Sequence, residues 1–271
     1  MDMPPQEEEH PPPVFSELLL DVTEEVCTLT LNRPHKRNAL TPTLVTELCQ
    51  ALAWAKRDPG VGSVILQGAG GAFCAGADLT AFQQAKATKE DQQASFVDLN
   101  LAFTSIGKPV IAKIERYALA GGLGIACACH FAVAEDTAEF STPEINRGLF
   151  PMMIMANIFR LLPRRKGLEL VLLGERFSAQ QAANIGLINQ AVPKENLEET
   201  CMTLAKKLAQ KPSHSLRLGM EAFYAQSDMD YKEALYFLEG ELNKCLQTPD
   251  AMEGIFAFMQ KRDPVWPKRG H

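Results

Sequence analysis

The sequence lacks the features that mark membrane-bound and secreted proteins. It contains no run of about 18 apolar residues, which is the length that a membrane-spanning helix requires. No segment has the charged start, apolar middle and small-residue end of a signal peptide. The final residues, 268–271, do not form a peroxisomal address. We therefore expect a protein with no membrane partner.

A strong excess of positive charge is also missing. The chain has 27 basic and 33 acidic residues, which give a formal net charge of −6. A protein with this balance has no broad basic surface for nucleic acid, so we predict no nucleic-acid partner. Local positive patches remain able to bind a phosphate.

Metal-binding patterns are scarce as well. The seven cysteines have no paired metal-ligand spacing, and the five histidines have none either. The chain is too long for a small disulfide scaffold, so reduced thiols are the simplest interpretation. We predict no metal site and a cytoplasmic location.

What the composition does support is an ordinary globular fold. The 271 residues are 46% hydrophobic and 22% charged, enough for one large domain or a domain with an appendage. Residues 1–13 hold five prolines and three consecutive glutamates, so we predict a disordered acidic and proline-rich tail. The remainder divides into a core at 14–195 and a helical region at 196–271, which suits a lid or an oligomer interface.

Strand-like and helix-like segments alternate through the first half of the chain. Strands are predicted at 15–22, 26–31, 61–66, 109–114 and 131–134, and helices at 42–56, 79–87, 91–106 and from 121. Beyond Pro151 we predict helices at 152–162, 167–173, 178–184, 196–211, 213–226, 231–246 and 251–260, with one strand at 187–192. This order predicts an α/β fold with a largely parallel sheet. Because no G-x-G-x-x-G is followed by an acidic residue, a dinucleotide-binding domain is excluded.

One glycine-rich stretch stands out, Tyr117-Ala-Leu-Ala-Gly-Gly-Leu-Gly124. Glycine lets a backbone approach a ligand closely, and a helix that starts at Gly121 would point unpaired N–H groups at whatever lies in front of it. Such a start is an anion site without a charged side chain. Tight packing of a core helix is the competing interpretation of the same glycines.

A second glycine-rich loop changes the balance between these interpretations. Phe73-Cys-Ala-Gly-Ala-Asp-Leu79 also follows a buried strand, and Asp78 is suited to cap the next helix. Two loops that each place bare N–H groups at a strand end can converge on one oxygen atom. That arrangement is an oxyanion hole.

These two loops resemble the two signatures of the crotonase (enoyl-CoA hydratase/isomerase) superfamily. Residues 31–40 resemble its CoA-binding segment, and residues 178–188 resemble its later helix and strand. The resemblance extends from about residue 15 to residue 266, in the same order. It implies a spiral of ββα turns followed by a helical trimerisation region, an acyl-CoA thioester substrate, and a homotrimer or dimer of trimers. CoA is part of that substrate, and no separate cofactor is implied.

The resemblance also assigns roles to single residues. The oxyanion donors would be the N–H groups of Ala77 and Gly121, and Glu144 would be the catalytic carboxylate. Phe258 and Lys261 would reach the adenine and the 3′-phosphate in a neighbouring subunit. The substrate-binding set would be Lys36, Arg37, Ala75, Gly76, Asp78, Leu79, Gly122, Gly124, Phe258 and Lys261. Solvated surface charge is the competing interpretation for the lysines and arginines.

The sequence departs from the family at the active site. Hydratases of the family commonly use two glutamates, and the position of the first is Gly124 here. His130 replaces a familiar aspartate and is interpreted as structural. Methionines at 152, 153 and 155 replace glycines, either as core residues or as the floor of an adaptable acyl pocket.

Three activities therefore stay open. A single carboxylate can move a proton between two carbons of a thioester enolate, which isomerises an enoyl-CoA, or it can activate water for hydration. We expect an enoyl-CoA hydratase or isomerase that relies on Glu144. The alternatives are a CoA-ester-binding or scaffold protein with degenerate chemistry, and other oxyanion chemistry such as thioester hydrolysis.

Overall fold

The computed structural model describes residues 11–88 and 93–269, with the side chains of 86–88 left aside. Its strands are β1 (Leu18–Thr23), β2 (Val26–Leu31), β3 (Ser63–Gly68), β4 (Val110–Ile114), β5 (Tyr117–Leu119), β6 (Phe131–Glu135), β7 (Glu139–Ser141), β8 (Phe177–Ser178) and β9 (Gln190–Val192). Its α-helices are α1 (Pro42–Arg57), α2 (Leu79–Thr88), α3 (Phe96–Ser105), α4 (Gly121–Ala128), α5 (Met152–Leu161), α6 (Arg164–Leu173), α7 (Ala179–Asn184), α8 (Lys194–Ala209), α9 (Ser213–Gln226), α10 (Tyr231–Leu246) and α11 (Pro249–Gln260). Short 3₁₀ turns lie at Pro34–Lys36 and Pro143–Arg147.

The main sheet has the strand order β1-β2-β3-β4-β6-β9. β1 and β2 form an antiparallel hairpin, and every other neighbouring pair in this sheet is parallel. The predicted α/β class with largely parallel pairing is confirmed. Parallel pairing places the carboxyl ends of β2, β3 and β4 on one edge, so the loops that follow these strands meet there.

A second, smaller sheet produces the spiral. It has the order β5-β7-β8, in which β5 and β7 are parallel. Single-residue bridges join Leu40 to Ala77 and Cys74 to Ala118. Each turn therefore passes from the main sheet through a short extended segment and then into helix. The units β4-β5-α4 and β6-β7-α5 show this ββα repeat directly.

The two faces of the main sheet are covered by different layers. Side chains alternate across a strand, so Leu29, Leu31 and Leu66 point into the main core while Ile65 and Ile111 point to the other face. On that other face they pack against Leu197, Cys201 and Ala205 of α8. Helix α8 thus belongs to the layered core of the chain.

This position of α8 corrects one expectation. Within the region 196–271, which was predicted to be a lid or an oligomer interface, the apolar stripe of Leu197, Met202, Leu204 and Leu208 was interpreted as part of a surface between subunits. The structure instead buries or half-buries these residues against the sheet of the same chain. A stripe of this kind identifies an amphipathic helix but not what covers it.

Unlike α8, the helices α9 to α11 expose large apolar side chains in the single chain. On α10, Leu235, Leu238, Leu242 and Leu246 follow helical spacing on one face, and all four are exposed in the single chain. Single exposed apolar residues are ordinary, whereas a contiguous stripe indicates a contact surface. None of the helices in the described ranges combines the length and apolar character needed to cross a bilayer.

Several boundaries differ from the predictions. The helix predicted at 91–106 starts at Phe96, because Ser95 and Asp98 form a capping box there. Strands β7 and β8 were not predicted, since three and two residues are too short to show a strand period. The charged junction at 89–91 and most of the predicted tail, residues 1–10, lie outside the described residues.

Candidate active site

The loop that follows β3 presents the amide of Ala77. Leu40 pairs with this loop as a strand would: its N–H donates to Gly76 O, and its carbonyl accepts from Asp78 N, both at 2.8 Å. In a parallel bridge the central residue directs its own N–H away from the partner. Within the described residues the Ala77 amide has no acceptor, so it is a free donor.

The second donor comes from the start of α4. Gly121 is the first residue of this helix, and the residue before it, Ala120, provides no side-chain cap. The first amides of a helix lack partners inside it. Within the described chain the Gly121 amide has no acceptor either, while the amide of Gly124 donates to Ala120 O. The helix predicted to begin at Gly121 is confirmed.

The two donors lie side by side. A Cβ placed on Gly121 would be 3.5 Å from Ala77 N and 3.4 Å from Leu40 Cδ1. The loops are joined by backbone hydrogen bonds as well, since Cys74 N donates to Tyr117 O and Leu119 N donates to Cys74 O. Ala77 and Gly121 are both half-buried residues. The arrangement places two unpaired N–H donors close together without a charged side chain, and their role as an oxyanion hole stays a prediction.

Backbone strain is concentrated between the donors. Ala120 has φ 49° and ψ −128°, although it is not a glycine, and its N–H donates to Ser141 O at 2.9 Å. Gly76 has φ +104°, and a Cβ there would lie 2.7 Å from Ala120 Cβ. Strain of this kind persists only where the surroundings hold it, and it clusters at functional sites.

An ionic cluster supports the Ala77 loop from behind. The guanidinium of Arg33, only 11% exposed, contacts Asp78 Oδ2 at 3.2 Å and Glu17 Oε1 at 3.0 Å, and it donates to Ala39 O at 2.6 Å. Asp78 also caps α2 by accepting from Ala81 N. Burial alone would raise the pKa of Asp78, but the hydrogen bonds from Ala81 and Arg33 hold it below its usual value. Its carboxylate is thus engaged in positioning the loop.

The carboxylate of Glu144 approaches from the second sheet. β5 and β7 are parallel neighbours, so Gly121 and Glu144 follow adjacent strands at the same edge. Glu144 lies in the 3₁₀ turn Pro143–Arg147, which Thr142 and Asn146 tie to α6 through hydrogen bonds to Leu170 O and Gly174 O. Burial raises the pKa of Glu144, and its Oε2 is buried without a partner among the described residues. A buried carboxyl oxygen left unpaired is typical of a catalytic group.

Comparisons with known proteins identify the family. Residues 21–269 match the family model described as "Enoyl-CoA hydratase/isomerase". The chain belongs to the enoyl-CoA hydratase/isomerase family. It is 33% identical to the "Probable enoyl-CoA hydratase, mitochondrial" of Dictyostelium discoideum over 259 residues, which are 93% of this chain and 92% of that protein.

Solved structures show the same fold. An enoyl-CoA hydratase of Mycobacterium smegmatis is 31% identical, with a TM-score of 0.84 over 93% of this chain and 99% of that one. The human enoyl Coenzyme A hydratase domain-containing protein 3 is 30% identical, with a TM-score of 0.87 over 93% and 100% of the two chains. The predicted crotonase-like fold is therefore confirmed, and the protein is an enzyme of enoyl-CoA hydratase/isomerase type.

The departure from the two-glutamate pattern of the family has a structural counterpart. At Gly124 a Cβ would lie 3.1 Å from Ile154 Cγ1, and Ile154 is itself buried against α4. The side of α4 where the first glutamate would project is thus filled by α5. Asn157 of α5 also donates to Gly124 O, at 3.2 Å. Gly122 allows still closer packing, because a Cβ there would lie 2.4 Å from Cys74 O.

The other predicted substrate contacts form one rim beside the donors. Ala75 is half-buried, and its N–H donates to Arg37 O at 3.1 Å, which joins the segment at 36–37 to the glycine loop. Lys36 and Arg37 have exposed side chains, and Leu79 is 53% exposed at the start of α2. Their position fits the expected path of a CoA chain, and their contacts with CoA remain a prediction.

Two predicted contacts lie outside this rim. Phe258, 84% exposed, and Lys261 are at the end of α11. Their role was predicted for a neighbouring subunit, and it stays a prediction. The methionine positions are partly corrected: Met152 and Met153 are exposed rather than core residues. His130 accepts a hydrogen bond from Val110 N in the main sheet, which supports its structural interpretation.

Some positioning residues carried no sequence signal that we used. From the sequence alone, Arg33 would be interpreted as a surface charge. In the structure its side chain is largely buried beneath the Ala77 loop. Asn38 is fully buried, and its Nδ2 donates to Ala69 O and Ala72 O of the same loop. An asparagine or arginine within a polar, proline-containing break could have been flagged as a loop anchor.

Proposed function

We propose that the protein stabilises the enolate of an acyl-CoA thioester between the amides of Ala77 and Gly121. The observation that carries this proposal is the close approach of two unpaired N–H donors from separate loops. A thioester oxygen held by both donors gains negative charge when a proton leaves the α-carbon. Donors fixed in advance stabilise that charge without reorganising.

Glu144 is proposed as the single acid and base. Burial raises its pKa, which suits a carboxyl group that both accepts and returns a proton. Proton transfer from one carbon of the enolate to another isomerises a β,γ-enoyl-CoA to the α,β form. The same carboxylate can activate water for addition to an α,β double bond.

Isomerisation is the favoured reaction of the two. Hydration benefits from two carboxylates that hold the attacking water. Here the place of one of them is occupied by Ile154 against Gly124. We therefore propose that double-bond migration is faster than hydration. The proposed chemistry needs no cofactor beyond the CoA of the substrate.

The assembly is proposed to be a homotrimer or a dimer of trimers. The exposed leucine stripe of α10 supports a contact between copies. In such an assembly Phe258 and Lys261 of α11 would meet the CoA bound to a neighbouring subunit. A cytoplasmic location also remains a prediction, since several relatives are described as mitochondrial.

Turnover of a panel of acyl-CoAs, followed by mass spectrometry, tests the proposed function. We expect at least one enoyl-CoA to be isomerised or hydrated, with isomerisation faster. Calorimetry with a non-reactive acyl-CoA tests binding separately. Absence of binding of any acyl-CoA at millimolar concentration would contradict the proposal.

A further inference from the structure

A second cleft lies at the opposite edge of the main sheet. It has a volume of about 200 Å³ and is formed where α1, α3, α8 and α9 approach the starts of β3 and β4. The six residues of β3, at roughly 3.3 Å each, place it about 20 Å from the glycine loop. It is therefore separate from the candidate acyl-CoA site.

The lining of this cleft is strongly basic. No aspartate or glutamate is among its described lining residues, although the whole chain has a net charge of −6. An apolar wall is formed by Val61, Ile106 and Leu216. The basic side chains that line it are Lys56, Arg57, Lys108, Lys211, Arg217 and Arg269, together with His214.

Helix capping accounts for three of these cations. Lys56 Nζ donates to Ser105 O at the end of α3, and Arg269 Nη2 donates to Ala209 O at the end of α8. Lys108 Nζ donates to Ala55 O and Asp58 O at the end of α1. Cations at helix carboxyl ends are stabilising because they meet unpaired carbonyls and the negative end of the helix dipole. Arg269 is also paired with Glu25 at 2.7 Å.

Capping does not account for the other three. Arg57 and Lys211 line the cleft as exposed residues, and neither forms an ion pair with another described residue. Arg217 meets Glu221 only at 3.5 Å, in a pair that is close to half exposed and thus contributes little. His214 is held by Asp250 at 3.1 Å. Like charges facing one cleft repel each other: burial and the neighbouring Arg269 lower the pKa of Lys108 to about 8.

We propose that this cleft binds a small phosphate-type dianion or polyanion, held mainly by Arg57, Lys211 and Arg217. A multiply charged anion would relieve the repulsion among the cations and accept several charge-assisted hydrogen bonds. The space is several times the roughly 30 Å³ that one water molecule occupies, so it admits phosphate or pyrophosphate. The apolar wall leaves room for an organic group on a phosphomonoester.

Calorimetry with pyrophosphate and with inorganic phosphate tests this proposal on the full chain. Acyl-CoA is left out of this titration, because its own pyrophosphate and 3′-phosphate would compete for the cleft, and chloride keeps the ionic strength constant. We expect saturable binding that is tighter for pyrophosphate. The double variant Arg57→Gln/Lys211→Gln should weaken it at least about tenfold, because two hydrogen bonds to charged groups are lost.

A matched pair of cations elsewhere provides the control. Lys166→Gln/Arg176→Gln removes the same charge from exposed positions outside the cleft, so pyrophosphate affinity should be unchanged. Unchanged acyl-CoA binding in both double variants shows that they are folded. Absence of saturable pyrophosphate binding, or an equal loss in both variants, would overturn the proposal. Tighter binding of ribose 5-phosphate than of inorganic phosphate would support it and assign the organic part to the apolar wall.

Discussion

Replacement of Gly124 by glutamate tests how α5 decides the chemistry of this site. The backbone at Gly124 is helical, so a side chain is allowed there, but its Cβ would lie 3.1 Å from Ile154 Cγ1 and 3.7 Å from Ile154 Cβ. The separation of 3.1 Å from Ile154 Cγ1 is shorter than the roughly 3.5–4.0 Å of a favourable carbon contact. Gly124→Glu alone should therefore destabilise the protein by about 1–3 kcal/mol through overpacking.

Removal of Ile154 should make room for the new carboxylate. Ile154→Ala alone should cost about 2–5 kcal/mol, since Ile154 is buried and leaves a cavity. In the double variant the glutamate fills that cavity. The two changes should therefore cost less together than their sum, by about 0.5–3 kcal/mol. The carboxylate would also lie near the start of α5, which has no acidic residue in its first turn and favours negative charge.

Two measurements on the parent protein, the two single variants and the double variant decide the outcome. Urea unfolding at one protein concentration gives the coupling between the two sites, and acyl-CoA turnover gives the ratio of hydration to isomerisation. We expect this ratio to rise only in Gly124→Glu/Ile154→Ala. The control is Gly124→Gln/Ile154→Ala, which has the same shape without a carboxylate. An unchanged ratio with substrate binding retained would show that a second carboxylate does not limit hydration here.

Four further predictions follow from the structure. Glu144→Gln should lower turnover about 10²–10⁴-fold with acyl-CoA affinity retained, and a loss of affinity in calorimetry would contradict a purely catalytic role. The substitution should not lower Tm, because the raised pKa of Glu144 means that its charged form is less stable in the folded protein than in the unfolded chain. Gly76→Ala should reduce kcat, since its Cβ would meet Ala120 Cβ at 2.7 Å and displace both donors; unaltered kinetics would refute this. Leu242→Glu should shift the mass by light scattering towards the monomer, whereas an unchanged mass would place the interface elsewhere. Burial lowers the pKa of His130 to about 4 from 6.5, so the folded state binds fewer protons than the unfolded one. The contribution of neutral His130 to the free energy of unfolding should then be fully present above pH 6.5 and be lost as the pH falls towards 4. His130→Phe should flatten this part of the profile of unfolding free energy against pH, measured with urea.

The elements that the sequence predicted well are those with a strong local signal. The helix Ser213–Gln226 and the helix Tyr231–Leu246 were predicted with the observed bounds, because helical spacing and flanking polar breaks coincide there. Thr41 and Ser178 cap α1 and α7 by accepting hydrogen bonds from Leu44 N and Gln181 N, which are local contacts that a hydroxyl before a helix can make.

Features that depend on distant contacts were not predictable in the same way. Strand β7 has three residues and exists because β5 and β8 lie beside it. The stripe on α8 and the stripe on α10 look alike in sequence, yet one packs on the sheet and the other stays exposed in the chain. Hydrophobic periodicity reports that a face will be covered and contains no information about its partner.

The construction of the donor pair explains how the site can depart from the two-glutamate pattern while keeping its geometry. The amides of Ala77 and Gly121 are fixed by backbone pairing with Leu40, by the bridge between Cys74 and Ala118, and by the bond from Ala120 N to Ser141 O. None of these bonds involves the side chain at 124. Exchange of glutamate for glycine there would change the number of carboxylates and the packing of α5, and it would leave the proposed oxyanion donors in place. On the proposed mechanism, we expect the reaction to depend on the carboxylate that remains and on what α5 places beside it. The substitutions at Gly124 and Ile154 are therefore directed at α4 and α5 rather than at the donors.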